Sequence, residues 1–140
     1  MILLYRLLIN FVLFLSPIII VFRIFKKKED IKRFKEKFSI TSLKKPKGNL
    51  VWFHACSVGE LKSILPIIKN FEKNKKINNI LITTSTLSSS KVYAKFGFKK
   101  TIHQFFPIDT NSFSKKFINY WKPNIAIFID SEIWPNMFLN

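Results

Sequence analysis

The chain opens with one long apolar segment and then changes to a series of short ones. Residues 2–25 are apolar almost without interruption, with Arg6 and Arg23 near the two ends. As a helix this segment would be about 36 Å long, against a hydrocarbon core of about 30 Å. Arginine side chains near the ends of such a helix can reach the lipid head groups. The pattern therefore predicts a membrane anchor over residues 1–25.

A secretory signal peptide is the alternative for this segment. It would need basic residues before the apolar run and a small-residue cleavage site after it. Here the run is followed by a short sequence with no such site, Arg23-Ile24-Phe25-Lys26-Lys27-Lys28. We favour an uncleaved anchor, and the pattern leaves open whether it spans the bilayer or lies in one leaflet.

A basic segment, residues 26–47, follows the anchor, and we call it the basic collar. It contains ten basic and three acidic residues. Lys and Arg accumulate on the cytoplasmic side of membrane segments, and near an anionic leaflet each contributes about 1 kcal/mol of attraction. Apolar residues recur at helical spacing among the charges, which favours an amphipathic helix over residues 29–38, on the bilayer surface or in solvent: Ile31, Phe34 and Phe38.

From Gly48 onward, strand patterns alternate with helix patterns. Short apolar runs predict strands at 50–53, 80–82, 101–105 and 125–129. Helical spacing of apolar residues predicts helices at 58–71, 88–96 and 112–121. This alternation predicts an α/β fold, a Rossmann-like parallel sheet domain over residues 48–140. The sequence stops a few residues into a further predicted helix, so we expect a fragment of a longer protein.

The charge of the chain indicates an anionic partner. Its 140 residues carry a net charge of +16, which favours nucleic acid, acidic lipid or a phosphorylated substrate. Most of the basic residues are Lys, a bias that an AT-rich genome also produces, so we give half of the excess charge no functional weight. The single cysteine, Cys56, permits no internal disulfide.

The loop after the first predicted strand carries a candidate catalytic residue. In parallel sheets of this kind, ligands bind beyond the carboxyl ends of the strands. The loop lacks a Gly-rich dinucleotide motif, and Ser57 to Glu60 fit the capping box S-x-x-E, in which Glu60 reaches back to the backbone amide of Ser57. Alternatively, Glu60 could take a proton from a substrate hydroxyl as its oxygen attacks. The spacing alone favours the cap.

Further polar residues follow the other strands. The hydroxyls of residues 83–90 suit a helix cap better than a phosphate site, His103 suits a structural role better than a catalytic one, and Asp109 suits a cap for the next helix. Asp130 and Glu132 follow the fourth strand and would point to the same side of an extended chain. A magnesium site there would need a third oxygen ligand, and none is evident.

The order of these motifs resembles the 3-deoxy-D-manno-octulosonate (Kdo) transferases. The resemblance covers nearly the whole chain, and its most specific parts are S-V-G-E at residues 57–60 and E-x-W-P-N at residues 132–136. It implies the N-terminal half of a two-domain GT-B glycosyltransferase, without the nucleotide-binding C-terminal domain. It further implies transfer of Kdo from CMP-Kdo to a lipid A precursor, without metal or cofactor, at the cytoplasmic face of the inner membrane.

Carried over residue by residue, the resemblance makes Glu60 the proton acceptor. Asp130 falls where the family usually has a Glu that stabilises the transition state, so its carboxylate is one methylene shorter. The same motifs assign substrate binding to a further set of residues: Ser57, Gly59, Glu132 and Asn136. The competing hypothesis is a membrane-tethered basic module that binds anionic lipid or nucleic acid without catalysis. Because the aromatic residues fall mainly in apolar runs rather than among basic ones, we rank it second and expect no nucleic-acid partner.

Overall fold

A single parallel sheet organises the chain after the basic collar. The computed structural model describes residues 1–41, 43–129 and 133–140. In chain order its elements are α1 (Ile2–Phe25), a 3-10 helix (Phe34–Phe38), β1 (Leu50–His54), α2 (Val58–Lys73), β2 (Asn79–Thr84), α3 (Leu87–Ala94), β3 (Thr101–Phe105), α4 (Asn111–Trp121), β4 (Ile125–Phe128) and α5 (Pro135–Leu139).

The four strands are all parallel and lie in the order β3-β2-β1-β4. In the register of the sheet, Trp52 of β1 lies opposite Leu81 of β2 on one side and Ala126 of β4 on the other. Both faces of the sheet are covered. One face packs on α2 and α3 through Phe53, and the other packs on α4 and α5 through Trp52. This arrangement confirms the predicted α/β fold with a parallel sheet.

Hydroxyl side chains start the three helices that follow β1, β2 and β3. Ser57 accepts from the amide of Glu60, Thr86 from that of Ser89 and Thr110 from that of Phe113. Each contact satisfies a helix-end amide that has no partner within the helix. The prediction that Asp109 caps α4 is therefore wrong. Thr110, one residue later, has the extended backbone of a cap, which leaves the carboxylate of Asp109 for other partners.

The basic collar folds onto the domain. In place of the amphipathic α-helix expected over residues 29–38, the structure has the short 3-10 helix. Glu29 and Glu36 are buried, each only 4% exposed. The helical pattern predicted that these carboxylates would lie in solvent. Instead Glu29 forms an ion pair with Arg23, Glu36 forms one with Arg33, and both carboxylates lie inside the protein. Because these partners lie on the protein side, a regular helix with one polar face does not form here.

Strand β4 differs from the other three strands in burial. Its sequence gave the clearest strand pattern, yet Ile125 is 56% exposed and Ala126 is also exposed. The cause is its place at one edge of the four-stranded sheet, next to β1. An apolar run therefore identified the strand correctly without showing how well it is covered.

Candidate functional site

The loop after β1 lies where ligands bind in parallel sheets. In the order β3-β2-β1-β4, the chain leaves β1 toward β2 and later returns on the opposite side of β1, so the loops after β1 and β4 diverge at a switch point. Asp130 and Glu132, in the loop after β4, lie outside the described residues. Trp134 is described, and the centroid of its ring lies 6.4 Å from that of His54. This ring contact places the end of the β4 loop beside the end of β1.

Glu60 takes part in the capping box expected from its spacing. Its Oε1 accepts from the hydroxyl of Ser57 at 2.6 Å, and the amide of Glu60 donates to that same hydroxyl oxygen at 3.2 Å. Its Oε2 accepts at 2.8 Å from the amide of Cys56, one residue earlier than the motif predicts. The carboxylate is thereby held in one position at the start of α2.

Ser57 and Gly59 present an open surface beside this carboxylate. Both residues are exposed. A Cβ atom added at Gly59 would have one neighbour within 4 Å, the hydroxyl oxygen of Ser57 at 3.8 Å, which is ordinary contact. The fold itself therefore does not require glycine at this position, and the backbone here is accessible to a ligand.

His54 forms the floor beneath the loop. It is 1% exposed, and its ring stacks on Phe106 with 3.9 Å between ring centroids. Its Nδ1 lies 2.9 Å from the hydroxyl of Thr83, and its Nε2 lies 3.3 Å from the sulfur of Cys56. Burial lowers the pKa of His54 to about 4, so the ring is uncharged at neutral pH. Sequence reasoning had assigned it no role.

Cys56 links the loops after β1 and β2. Besides its contact with His54, its sulfur lies 3.1 Å from the hydroxyl of Ser85. The Thr/Ser segment after β2 thus serves two structural purposes, since Ser85 contacts Cys56 and Thr86 caps α3. The cap is the role that the sequence analysis favoured for these hydroxyls.

A cationic pocket lies at the start of α3, next to the C-terminal end of α1. Its volume is about 320 Å³. Four basic side chains and the hydroxyl-bearing first turn of α3 form its walls: Arg23, Lys27, Lys28, Lys91, Thr86 and Ser88. Positive side chains beside helix-end amides favour anions such as phosphate. The sequence indicated a phosphate site only for the hydroxyls, because nothing in the pattern showed that α1 and α3 come together.

His103 is part of a buried polar network rather than of the β1 loop. Arg33 donates to His103 Nδ1 at 3.1 Å and to its carbonyl oxygen at 2.7 Å, while His103 Nε2 lies 2.9 Å from the hydroxyl of Thr84. Because Arg33 can only donate, the proton of the neutral ring is on Nε2. Burial, with the charge of Arg33, lowers the pKa of His103 to about 3. This geometry gives His103 the structural role that we had favoured.

Asn136 is held entirely by protein partners. Its amide nitrogen donates to the carbonyl oxygen of Asp109 at 2.6 Å, and its amide oxygen accepts from Arg6 Nε at 2.9 Å. Asp109, fully buried, also accepts from the backbone of Asn136 and from the hydroxyls of Tyr5 and Ser114. We call this set of contacts the Asp109 hub. Direct substrate binding by Asn136 would require these contacts to open.

The parallel sheet and the polar loop at its switch point place the chain among the α/β proteins that bind ligands at the carboxyl ends of their strands. A family model described as 3-deoxy-D-manno-octulosonic-acid transferase (kdotransferase) matches residues 32–140. The chain belongs to this family of glycosyltransferases, as the order of its motifs had indicated.

Individual relatives agree with this assignment. The chain is 42% identical over 118 residues to the 3-deoxy-D-manno-octulosonic acid transferase of Rickettsia bellii, a match that covers 84% of this chain and 28% of that protein. It is 37% identical over 111 residues to a probable mitochondrial 3-deoxy-D-manno-octulosonic acid transferase of Arabidopsis thaliana, covering 79% and 25%. Identity to the transferase of Aquifex aeolicus is 32% over 111 residues, covering 79% and 30%. The chain therefore spans about a quarter of the length of these relatives.

Proposed function

We propose that this chain is the acceptor-side part of a Kdo transferase that moves Kdo from CMP-Kdo to a lipid A precursor in lipopolysaccharide biosynthesis. The observation that carries the proposal is Glu60, a carboxylate held at the switch point of the sheet by the hydroxyl of Ser57 and the amide of Cys56. Family membership supplies the sugar that is transferred, and the geometry supplies a group that can accept a proton.

In the proposed reaction, a hydroxyl oxygen of the acceptor attacks the anomeric carbon of Kdo. The bond from that carbon to the CMP phosphate oxygen breaks, and CMP leaves with the electron pair. The proton of the attacking hydroxyl moves to Glu60. Each carboxylate oxygen of Glu60 has one protein donor and a further lone pair, so accepting the proton does not require the capping contacts to break. General-base assistance of this kind contributes about 10²- to 10⁴-fold in rate.

The neighbouring residues receive supporting roles. Ser57 and Gly59 are exposed beside Glu60, and we assign them to substrate binding. By resemblance, Asp130 stabilises the transition state and Glu132 binds substrate. Asn136, whose side chain contacts Asp109 and Arg6, contributes to the substrate-binding loop by holding α5 in place. The proposed chemistry uses no metal or cofactor.

The acceptor explains the cationic pocket and the apolar helix together. A lipid A precursor combines phosphate groups with fatty acyl chains. Lysines such as Lys27, Lys28 and Lys91 would meet a phosphate as point charges, and α1 offers an apolar surface next to them. We propose residues 1–25 as a membrane anchor, residues 26–47 as the basic collar and residues 48–140 as the acceptor-side domain. The complete protein would carry the CMP-Kdo site in a C-terminal domain and act at the cytoplasmic face of the inner membrane.

Substitution of Glu60 by Gln in the full-length protein tests the proposal. Gln can keep both capping contacts, accepting from Cys56 through its oxygen and donating to Ser57 through its nitrogen, but it cannot accept the proton. We expect Kdo transfer, measured with CMP-Kdo and a lipid A precursor, to fall about 10²- to 10⁴-fold, with the thermal unfolding midpoint nearly unchanged.

The matched control is Glu72→Gln, the same substitution near the other end of α2. Glu72 accepts from the amide of Lys100 and the hydroxyl of Thr101, far along the helix from the β1 loop. We expect the transfer rate of Glu72→Gln, corrected for any change in the folded fraction, to stay within about twofold of that of the unsubstituted protein. Near-normal activity of Glu60→Gln would show that Glu60 is only a helix cap.

A further inference from the structure

Helix α1 contacts the domain at both of its ends. Near its start, the hydroxyl of Tyr5 donates to Asp109 at 2.8 Å, and Arg6 donates to Asn136 at 2.9 Å. Near its end, Arg23 lines the cationic pocket together with Thr86 and Lys91 of the domain, and it also forms an ion pair at 3.0 Å with Glu29 of the basic collar. Between these contacts Ser16 and Ile20 are buried. Since the helix rises about 27 Å from residue 5 to residue 23, it lies along one folded body over most of its length.

The two faces of α1 differ in character. Positions that are buried or only partly exposed recur every three or four residues on the face toward the domain: Arg6, Ile9, Leu13, Ser16, Ile20 and Arg23. The opposite side of the helix carries ten apolar side chains that are each between 52% and 82% exposed: Leu3, Leu4, Leu7, Leu8, Phe11, Phe14, Ile18, Val21, Phe22 and Phe25. We call this set the outer face. Most of its apolar area is exposed in the described part of the chain, where Lys26 Nζ lies 4.4 Å from the ring centroid of Phe22, although such residues are strongly driven out of water.

A spanning orientation conflicts with these contacts. A helix that crosses a hydrocarbon core of about 30 Å carries its two ends to opposite sides of the bilayer. The domain can then contact one end of the helix but not the other. A helix that lies flat keeps the contacts of Tyr5, Arg6 and Arg23 together and turns its outer face to the lipid.

The charges near α1 fit an anionic leaflet. Lys26, Lys27 and Lys28 follow the helix directly and are exposed. At the same end, Arg23, Lys27 and Lys28 line the cationic pocket with Lys91. An apolar face bordered by basic residues is the pattern of helices that lie in a membrane interface. The mean hydropathy of 2.5 is high for such a helix, because residues on the side toward the domain, such as Ile9, Leu13 and Ile20, are apolar as well.

We propose that α1 lies in the plane of one leaflet, with its outer face among the acyl chains of an anionic phospholipid membrane and its other face on the domain. The proposal concerns how the chain meets the membrane and does not depend on the reaction assigned to it. It distinguishes an interfacial helix, bound from one side, from the transmembrane span that length and composition alone would equally allow.

Depth measurements with spin labels test the proposal. Single cysteines replace Leu7, Phe14 or Val21 of the outer face in a Cys56→Ser background, in the full-length protein reconstituted in phosphatidylethanolamine–phosphatidylglycerol vesicles. The three sites are about 10 Å apart along the helix. An in-plane helix places all three labels at one depth, within about 3 Å, as measured by relative accessibility to oxygen and to a water-soluble nickel chelate. A spanning helix puts the label at Phe14 about 10 Å deeper than the other two, and this result would overturn the proposal.

Two further variants keep the test decisive if the labels themselves disturb the helix. A label at Ile20, on the buried face, should be inaccessible to both reagents; strong oxygen accessibility there would mean that α1 has left the domain, against the proposal. Combining Tyr5→Phe with Arg6→Gln removes contacts at one end of α1. The label at Leu7 should then gain mobility while the label at Val21 does not, whereas a spanning helix predicts no change at either site.

Discussion

The side chain of Glu60 serves the fold as part of a helix cap, and we propose that it also serves the chemistry. The contacts that make it a helix cap also fix its carboxylate at the edge where ligands bind. A cap at the end of a sheet strand is common in α/β folds, so spacing could not distinguish a purely structural Glu60 from a catalytic one. Its position at the switch point, which depends on the order of all four strands, is what favours the second role.

Substitution of Gly59 can test substrate binding without lowering the stability of the fold. Replacing Gly59 by Ala introduces a methyl group with ordinary contact to Ser57, at a helical position where Ala is the better helix former by up to about 1 kcal/mol. We expect the thermal unfolding midpoint to stay constant or rise slightly. If a substrate approaches this backbone closely, the KM for the lipid acceptor should rise at least about tenfold, the cost of losing about 1.4 kcal/mol of contact. An unchanged KM in steady-state assays would remove Gly59 from the substrate-binding surface.

The two histidines predict how stability depends on pH. Their pKa values in the folded chain are about 4 for His54 and about 3 for His103, below the ordinary 6.5. Above pH 6.5 neither the folded nor the unfolded chain binds these protons. Below it the unfolded chain binds protons that the folded chain does not, so stability falls as the pH falls, until each folded pKa is reached. Each histidine should contribute a slope of about 1.4 kcal/mol per pH unit.

The variant His103→Asn isolates one of these contributions. The oxygen of Asn can accept from Arg33 in place of Nδ1, but the side chain does not titrate. Denaturant unfolding at about pH 7 and about pH 5 should show a loss of stability that is smaller in the variant by about 2 kcal/mol in total, since the slope applies only below pH 6.5. An equal loss in both proteins would mean that His103 is protonated in the fold.

At the scale of elements, the packing of the basic collar on the sheet depends on the ion pair between Arg33 and the buried Glu36. Arg33 binds both carboxylate oxygens of Glu36, at 2.8 and 2.9 Å, and Glu36 also accepts from the amide of Phe105 in β3. The carboxylate of Glu36 therefore joins the 3-10 helix to the sheet. A segment with so basic a sequence would otherwise be expected to remain in solvent.

Removing Arg33 should destabilise the domain. Arg33→Met keeps an apolar stem but leaves the charge of Glu36 buried with fewer donors, which costs about 3 kcal/mol. Adding Glu36→Gln should recover part of that loss, because Gln is neutral and can still accept from Phe105. The neighbouring exposed Lys35→Met is the control and should change the free energy of unfolding by less than about 0.5 kcal/mol. Equal effects of Arg33→Met and Lys35→Met on unfolding would show that the collar is not docked.

The elements themselves were largely predictable, and their mutual positions were not. All four strands were predicted: β1 and β2 are covered on both faces and read as apolar runs, β4 reads as an apolar run although it is partly exposed, and β3 gave a weaker pattern because His103 and Gln104 lie within it. The collar was misassigned, since Glu36 is buried against Phe105, far along the chain, and Glu29 pairs with Arg23 and Lys37 on either side of it rather than facing solvent. The cationic pocket was missed for the same reason: Lys91 and Arg23 are distant in sequence and come together only in the fold.

At the scale of the whole molecule, the sheet, the collar and α1 act as one unit. The sheet presents Glu60 at the carboxyl end of β1, the collar docks on β3, and α1 reaches the loop after β3 and helix α5 through the Asp109 hub. The outer face of α1, which we propose to meet the membrane, and the candidate site are therefore fixed relative to each other. A lipid acceptor could present its polar end to the loops while its acyl chains remain in the leaflet.

The Asp109 hub also sets an order of events during synthesis. It joins Tyr5, which leaves the ribosome first, to Asn136, which leaves it after about 130 more residues. At about 5 to 20 residues per second, about 7 to 26 seconds pass between the synthesis of the helix and that of the site on which it docks. Throughout that interval its apolar surface is exposed, with the lipid bilayer as the available place to bury it. We expect the nascent chain to reach the membrane before its domain is complete, so that folding finishes on the bilayer surface.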